Sequence, residues 1–241
     1  MSSIAKQLQV VNSRIAAAAQ AAGRDPQAVQ LLAVSKFFDF AAVLEAVRAG
    51  QTAFGENYVQ EALDKIAALK AAAPEAQVEW HFIGPIQSNK TRQIAEHFDW
   101  VHSVDREKIA RRLAEQRPAH LPPLNICLQV NISAEDSKSG LAPDALLAVA
   151  QAVAVLPGLR LRGLMAIPAP TEVVAEQQAV FRRLRELAAL LVSHGIACDT
   201  LSMGMSADMD AAIAEGATIV RVGTAIFGQR QAHHIDTSPS S

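Results

Sequence analysis

Apolar residues along this chain fall into short runs separated by longer amphipathic stretches, and the alternation repeats eight times. The runs at 31–34, 52–54, 79–83, 100–104, 125–130, 159–165, 198–201 and 218–222 are short and mostly apolar, which predicts eight β-strands. The stretches at 40–49, 58–72, 88–98, 106–117, 143–155, 172–193 and 207–215 suit helices. One more amphipathic helix, 4–22, precedes the first strand and stops at Gly23 and Pro26. Eight alternations in 241 residues predict an α/β fold, a single (β/α)8 TIM barrel with an extra N-terminal helix, rather than an open doubly wound sheet.

Such a barrel directs the carboxyl ends of all its strands to one face and makes its first and last strands neighbours. Val34-Ser35-Lys36 closes the first run and Arg221-Val222-Gly223-Thr224 closes the last, so a reactive amine and a phosphate cradle are expected side by side. Composition narrows the ligand further. A net charge of -2 without a Lys/Arg-rich run argues against nucleic acid, whose backbone needs a basic face. Cys127 and Cys198 belong to apolar runs and read as buried thiols in a reducing, cytoplasmic chain. Residues 1–10 carry polar residues throughout and lack an apolar core followed by a cleavage site, and no apolar stretch reaches membrane-spanning length, so neither export nor a membrane partner is expected. Residues 1–230 are read as one domain, and 231–241, with His233-His234 and Ser238-Pro239-Ser240-Ser241, as a disordered tail.

Lys36 follows a strand of Leu, Ala and Val, where desolvation favours the free amine that attacks a carbonyl. An arbitrary lysine in a strand-to-helix loop is far more often solvated, and position alone leaves both readings open. Leu201-Ser202-Met203-Gly204-Met205-Ser206-Ala207-Asp208 follows the seventh strand and offers two hydroxyls, a close backbone approach at Gly204 and a helix start. A phosphate seat and an ordinary helix start capped by Ser206 fit it equally. Gly223 and Thr224 follow strand eight, and loops after strands seven and eight are where barrels most often bind phosphate. Arg221 carries only donors and could hydrogen-bond a ring nitrogen as acceptor, or pair with Glu215 or Asp210. Asn57 reads as a helix cap or a ligand contact, and His81 as an inward-facing, structurally satisfied histidine. Ser88-Asn89-Lys90 reads as a loop and helix start, and Lys138 as solvated. No Cys/His cluster has metal spacing, and the glycines match neither nucleotide motif.

Six segments carry a family resemblance: Leu32-Ala33-Val34-Ser35-Lys36, Phe54-Gly55-Glu56-Asn57-Tyr58-Val59-Gln60-Glu61, Trp80-His81-Phe82-Ile83-Gly84-Pro85-Ile86-Gln87-Ser88-Asn89-Lys90, Gly163-Leu164-Met165-Ala166-Ile167, Leu201-Ser202-Met203-Gly204-Met205-Ser206-Ala207-Asp208-Met209 and Arg221-Val222-Gly223-Thr224-Ala225-Ile226-Phe227-Gly228. In this order they closely resemble the pyridoxal phosphate homeostasis proteins, the YggS/PROSC family. The resemblance implies a fold-type III barrel like the amino-terminal domain of alanine racemase. It implies pyridoxal 5′-phosphate (PLP) held as a Schiff base on Lys36, the phosphate on Ser206, Gly223 and Thr224 with Ser202 and Gly204 nearby, and Arg221 facing the pyridine nitrogen. Asn57 and Met165 would line the pocket. One departure is the segment after Lys36: the family usually reaches a proline there, and this chain reads Phe37-Phe38-Asp39-Phe40.

The resemblance points to vitamin B6 homeostasis, with the cofactor buffered or delivered without robust turnover. A PLP-dependent racemase is the alternative. It needs a second-domain tyrosine, whereas Tyr58 is the single tyrosine here, and Arg221 at the ring nitrogen weakens the electron sink. A Schiff-base aldolase leaves most of the motif set unexplained. PLP-dependent apo-enzymes are candidate recipients, and a monomer is expected.

Overall fold

The computed structural model describes residues 3–133 and 139–229, so Lys138 and the tail lie outside the described residues. Every predicted strand is present: β1 (Gln30–Val34), β2 (Ala53–Glu56), β3 (Glu79–Phe82), β4 (Trp100–Val104), β5 (Leu124–Gln129), β6 (Leu159–Met165), β7 (Thr200–Ser202) and β8 (Ile219–Val222). Each runs parallel to the next, and β8 pairs with β1 to close the barrel. The outer layer comprises α1 (Ser3–Ala21), α2 (Phe40–Arg48), α3 (Val59–Ala72), α4 (Thr91–His97), α5 (Glu107–Gln116), α6 (Leu146–Ala154), α7 (Val174–Ser193), α8 (Met209–Ala214) and α9 (Thr224–Phe227).

The differences from expectation are local. Ser88–Lys90 is a 3-10 turn ahead of α4, and α8 begins at Met209. Asp208 Oδ1 accepts the Met205 amide (2.6 Å), which holds 205–208 as a turn. Ser206 is therefore not the cap of α8; Asp208 occupies that position. The four-residue α9 follows β8 and is too short to leave a periodic signature.

Strand parity separates two interiors, because successive side chains point to opposite faces. Leu32, Ala53 and Ile219 pack inside the barrel, as do Trp100, Cys127 and Met165. Their neighbours Leu31, Ala33, Phe54, Val101, Ile126, Leu164 and Val220 pack outward against the helices. The inner space is not wholly apolar: His81, His102, Ser202 and Arg221 are also buried. The extra helix α1 buries Leu8, Val11, Ile15 and Ala19 and packs against α8 and α9. Burial stabilises by about 1.5–3 kcal/mol for each large side chain. The exposed Arg14–Asp210 pair contributes about 0–1 kcal/mol, so apolar burial holds α1 in place and the ion pair sets its register. Among the described residues no helix is long and apolar enough to cross a membrane.

Candidate functional site

Register brings the predicted residues to one rim. Val34 lies level with Gly55, and Ala33 with Val222, so Lys36, Asn57 and Gly223 leave adjacent strands together. A Cβ built on Gly223 would lie 3.0 Å from the Val34 carbonyl oxygen, so glycine is what permits this approach.

The backbone around Lys36 is clamped from behind. Lys65 Nζ, buried in α3, donates to the Ser35 carbonyl (2.8 Å), Glu56 Oε1 (2.8 Å) and Glu61 Oε1 (2.7 Å). Ser35 Oγ donates to the same Glu56 oxygen (2.6 Å), and the Phe37 amide donates to Glu61 Oε1 (2.6 Å). The residues on both sides of Lys36 are thus tied to one buried ionic cluster. Burial pushes the Glu56 carboxyl above its ordinary range, with Lys65 and Ser35 opposing that shift. Phe37 has φ 69°, a left-handed conformation that non-glycine residues adopt at a cost of about 1–3 kcal/mol. The unusual segment here is built around aromatic contacts and a cap: Phe37 packs on Tyr58, Phe38 on Phe227, and Asp39 Oδ1 accepts the Ala42 amide to start α2.

Arg221 is 4% exposed and lies within the barrel. It does not pair with Glu215, which is held by Arg182 and Arg185, or with Asp210, which is held by Arg14. Nη1 donates to Ser202 Oγ (2.7 Å) and Nη2 to the Ala166 carbonyl (2.9 Å). Burial lowers its pKa to about 10, so it stays cationic at neutral pH. Among the described residues no carboxylate hydrogen-bonds this guanidinium, although the Asp208 charge opposes the lowering of its pKa, and its remaining N–H groups suit an electron-rich partner in the pocket. Ser202 Oγ also meets His102 Nδ1 (2.7 Å), so its hydroxyl reaches a ligand through Arg221 rather than directly. Asn57 does not cap α3; Tyr58 holds that position, and Asn57 Oδ1 is buried with no hydrogen-bond partner among the described residues.

The loop after β7 is held from two sides. Arg14 Nη1 donates to the Ser206 carbonyl (2.8 Å), and the Gly204 carbonyl accepts the Arg221 amide (2.9 Å). Gly204 has φ 94°, and a Cβ there would come within 2.5 Å of Ala212 Cβ, so the tight passage beneath α8 requires glycine. Ser206 is half-buried and Thr224 exposed at the same rim. Met165 packs with Cys127 and Trp100 inside the barrel, one strand from Ser202 and level with it. Sequence reasoning missed Glu56, Lys65 and His102. A signal for His102 was its inward parity with Trp100 on β4, matching that of His81 on β3. No group of three metal-ligating side chains occurs among the described residues.

The profile of the family described as alanine racemase, N-terminal domain, matches residues 7–231. A Pseudomonas aeruginosa protein named pyridoxal phosphate homeostasis protein is 64% identical over 230 residues, covering 95% of this chain and 97% of that one. PipY of Synechococcus elongatus, solved with PLP bound, aligns at 41% identity and TM-score 0.81, over 93% of this chain and 100% of that one. Alanine racemase of Corynebacterium glutamicum shares the fold alone: it is 18% identical at TM-score 0.66, with 97% of this chain covering 62% of the enzyme. The profile match and the 64% identity show that this chain belongs to the alanine racemase N-terminal domain family, among the pyridoxal phosphate homeostasis proteins.

Proposed function

We propose that this chain binds PLP, with Lys36 as its covalent anchor, and serves intracellular vitamin B6 homeostasis by holding the cofactor and passing it on. The observation that carries this reading is the buried Arg221 guanidinium, to which no carboxylate is hydrogen-bonded among the described residues, on the strand beside the one that Lys36 follows. The Asn57 Oδ1, buried without a hydrogen-bond partner among the described residues, suits a polar ligand entering at the same rim. When bound, PLP supplies a reactive carbonyl and an electron-withdrawing ring.

The chain's own residues divide the remaining work. Lys36 provides the primary amine. Arg221 would face the ring nitrogen as a donor, and a guanidinium has no lone pair with which to take a proton from it. The Ser206 hydroxyl, Gly223, and the Thr224 and Ala225 amides that open α9, with the Thr224 hydroxyl, are suited to the phosphate. Gly204 shapes the loop, Ser202 steadies Arg221, and Asn57 and Met165 line the pocket. Ser206→Ala and Thr224→Val should each weaken PLP binding by roughly ten- to over a hundredfold and leave unphosphorylated pyridoxal unaffected. Equal losses for both vitamers, measured by fluorescence titration, would place the phosphate elsewhere.

Holding rather than turnover follows from the same groups. Arg221 weakens the electron sink, and Tyr58 stands on the outer rim at 50% exposure with its ring against Phe37. Cytoplasmic, monomeric protein that serves PLP-dependent apo-enzymes completes the proposal. The test is α-hydrogen exchange of a panel of amino acids in deuterated water with the PLP-loaded protein. Exchange no faster than with free PLP is expected; stereochemically defined exchange on the order of 1 per second would favour a racemase instead.

A further inference from the structure

A chain of buried polar side chains crosses the barrel behind Arg221. Ser202 Oγ, which accepts from Arg221 Nη1, meets His102 Nδ1 at 2.7 Å. His102 Nε2 meets His81 Nδ1 at 2.8 Å. His81 Nε2 lies 3.8 Å from Glu79 Oε2, too far for a hydrogen bond, and has no other partner among the described residues. Ser202, His102 and His81 are fully buried, whereas the Glu79 side chain is 53% exposed at the amino-terminal end of β3. The chain therefore runs from the pocket end of the barrel to its opposite opening.

Its direction can be assigned. A guanidinium only donates, so Ser202 Oγ must accept from Arg221. Burial lowers the pKa of both histidines, and the Arg221 charge adds to the lowering at His102, so each ring is neutral with one N–H. If His81 carried its proton on Nδ1, the Nε2 lone pair would face the Glu79 carboxylate. With the proton on Nε2 that contact is attractive, His81 Nδ1 accepts from His102 Nε2–H, and His102 Nδ1 accepts from the Ser202 hydroxyl. Every donor then points from Arg221 toward Glu79. The Ser202 proton is committed to His102, which leaves the serine oxygen turned to Arg221 as an acceptor. His81 is further fixed by Trp100, stacked at 5.4 Å and 4°, and the Arg162 guanidinium lies over the Trp100 ring at 4.7 Å.

We propose that His102 and His81 are positioning residues for the cofactor: through Ser202 they hold the Arg221 guanidinium in the orientation that presents its remaining N–H groups to the ring nitrogen. This rests on the PLP reading above and adds to it residues that touch no part of the ligand.

The test uses the full chain loaded with PLP and reads the visible absorption maximum and the dissociation constant. His102→Leu removes both ring nitrogens and should shift the maximum and weaken binding about tenfold. His102→Gln, whose amide can accept from Ser202 and donate to His81, should restore most of both. In a Ser202→Ala background the link to Arg221 is already cut, so His102→Leu should add little there. A His102→Leu protein that melts lower but keeps the wild-type maximum and affinity overturns the proposal, as do equal effects in the two backgrounds. Should His102→Leu not fold, Glu79→Gln at the exposed opening, where Glu79 also accepts from Gln30 Nε2 (3.4 Å), removes the charge that selects the tautomer; it should move the maximum the same way, and an unmoved maximum is equally fatal. A wild-type chain that develops no visible band with PLP refutes the cofactor reading itself, whereas a normal wild-type band with insensitive variants refutes the chain alone.

Discussion

Lys36→Ala should eliminate covalent capture of PLP: the visible band of the loaded protein disappears, and borohydride followed by peptide mapping finds no pyridoxyl label. In the wild-type chain the label should fall on the peptide containing Lys36. The effect is complete because a covalent attachment has no partial substitute, and alanine supplies no amine. Weak, reversible PLP binding should survive through Arg221 and the loops after β7 and β8, which the substitution leaves in place. A label on Lys90 or Lys138, with the same band retained in Lys36→Ala, would move the anchor away from β1.

The second large effect concerns stability. Lys65→Met should destabilise the fold by about 3–5 kcal/mol, because it leaves the fully buried Glu56 carboxylate without its cation. Burial already raises the Glu56 pKa, and Lys65 is the first cause opposing that rise. Removing the lysine raises it further. A carboxyl group whose folded pKa lies above its unfolded value favours the folded state below the unfolded pKa, and that contribution is lost as pH rises through the folded pKa. The penalty of Lys65→Met should therefore be larger at pH 8 than at pH 5 in urea titrations, and Glu56→Gln in the same background should recover part of it. A pH-independent loss would show that the cost is packing alone. PLP affinity should fall as well, since Lys65 and Glu61 tie down the peptides on both sides of Lys36.

Much of the barrel was legible because its signals are local. Apolar runs such as 100–104 and 159–165 mark strands by themselves, and in a parallel barrel the residue after a strand is committed to the functional rim. Lys36, Asn57 and Gly223 could be placed there by counting from strand ends. That neither Ser206 nor Asn57 caps a helix could not be decided from the sequence, because a cap depends on which side chain happens to reach an amide. Asp208 turned back to the Met205 amide, and Tyr58 took the position before α3.

The sequence by itself determined the order of elements, the parallel barrel and the rim on which Lys36 stands, all of which follow from periodicity and strand direction. Only the tertiary structure decided which polar groups meet. Ser202 lies 100 residues from His102 and 19 from Arg221, and Lys65 lies 30 from the Ser35 carbonyl it holds. Those contacts depend on barrel closure and on the register between strands, properties of no single segment. The left-handed Phe37 belongs with them: its peptide is held by a glutamate 24 residues away in another helix, and nothing in its neighbouring residues demands that conformation.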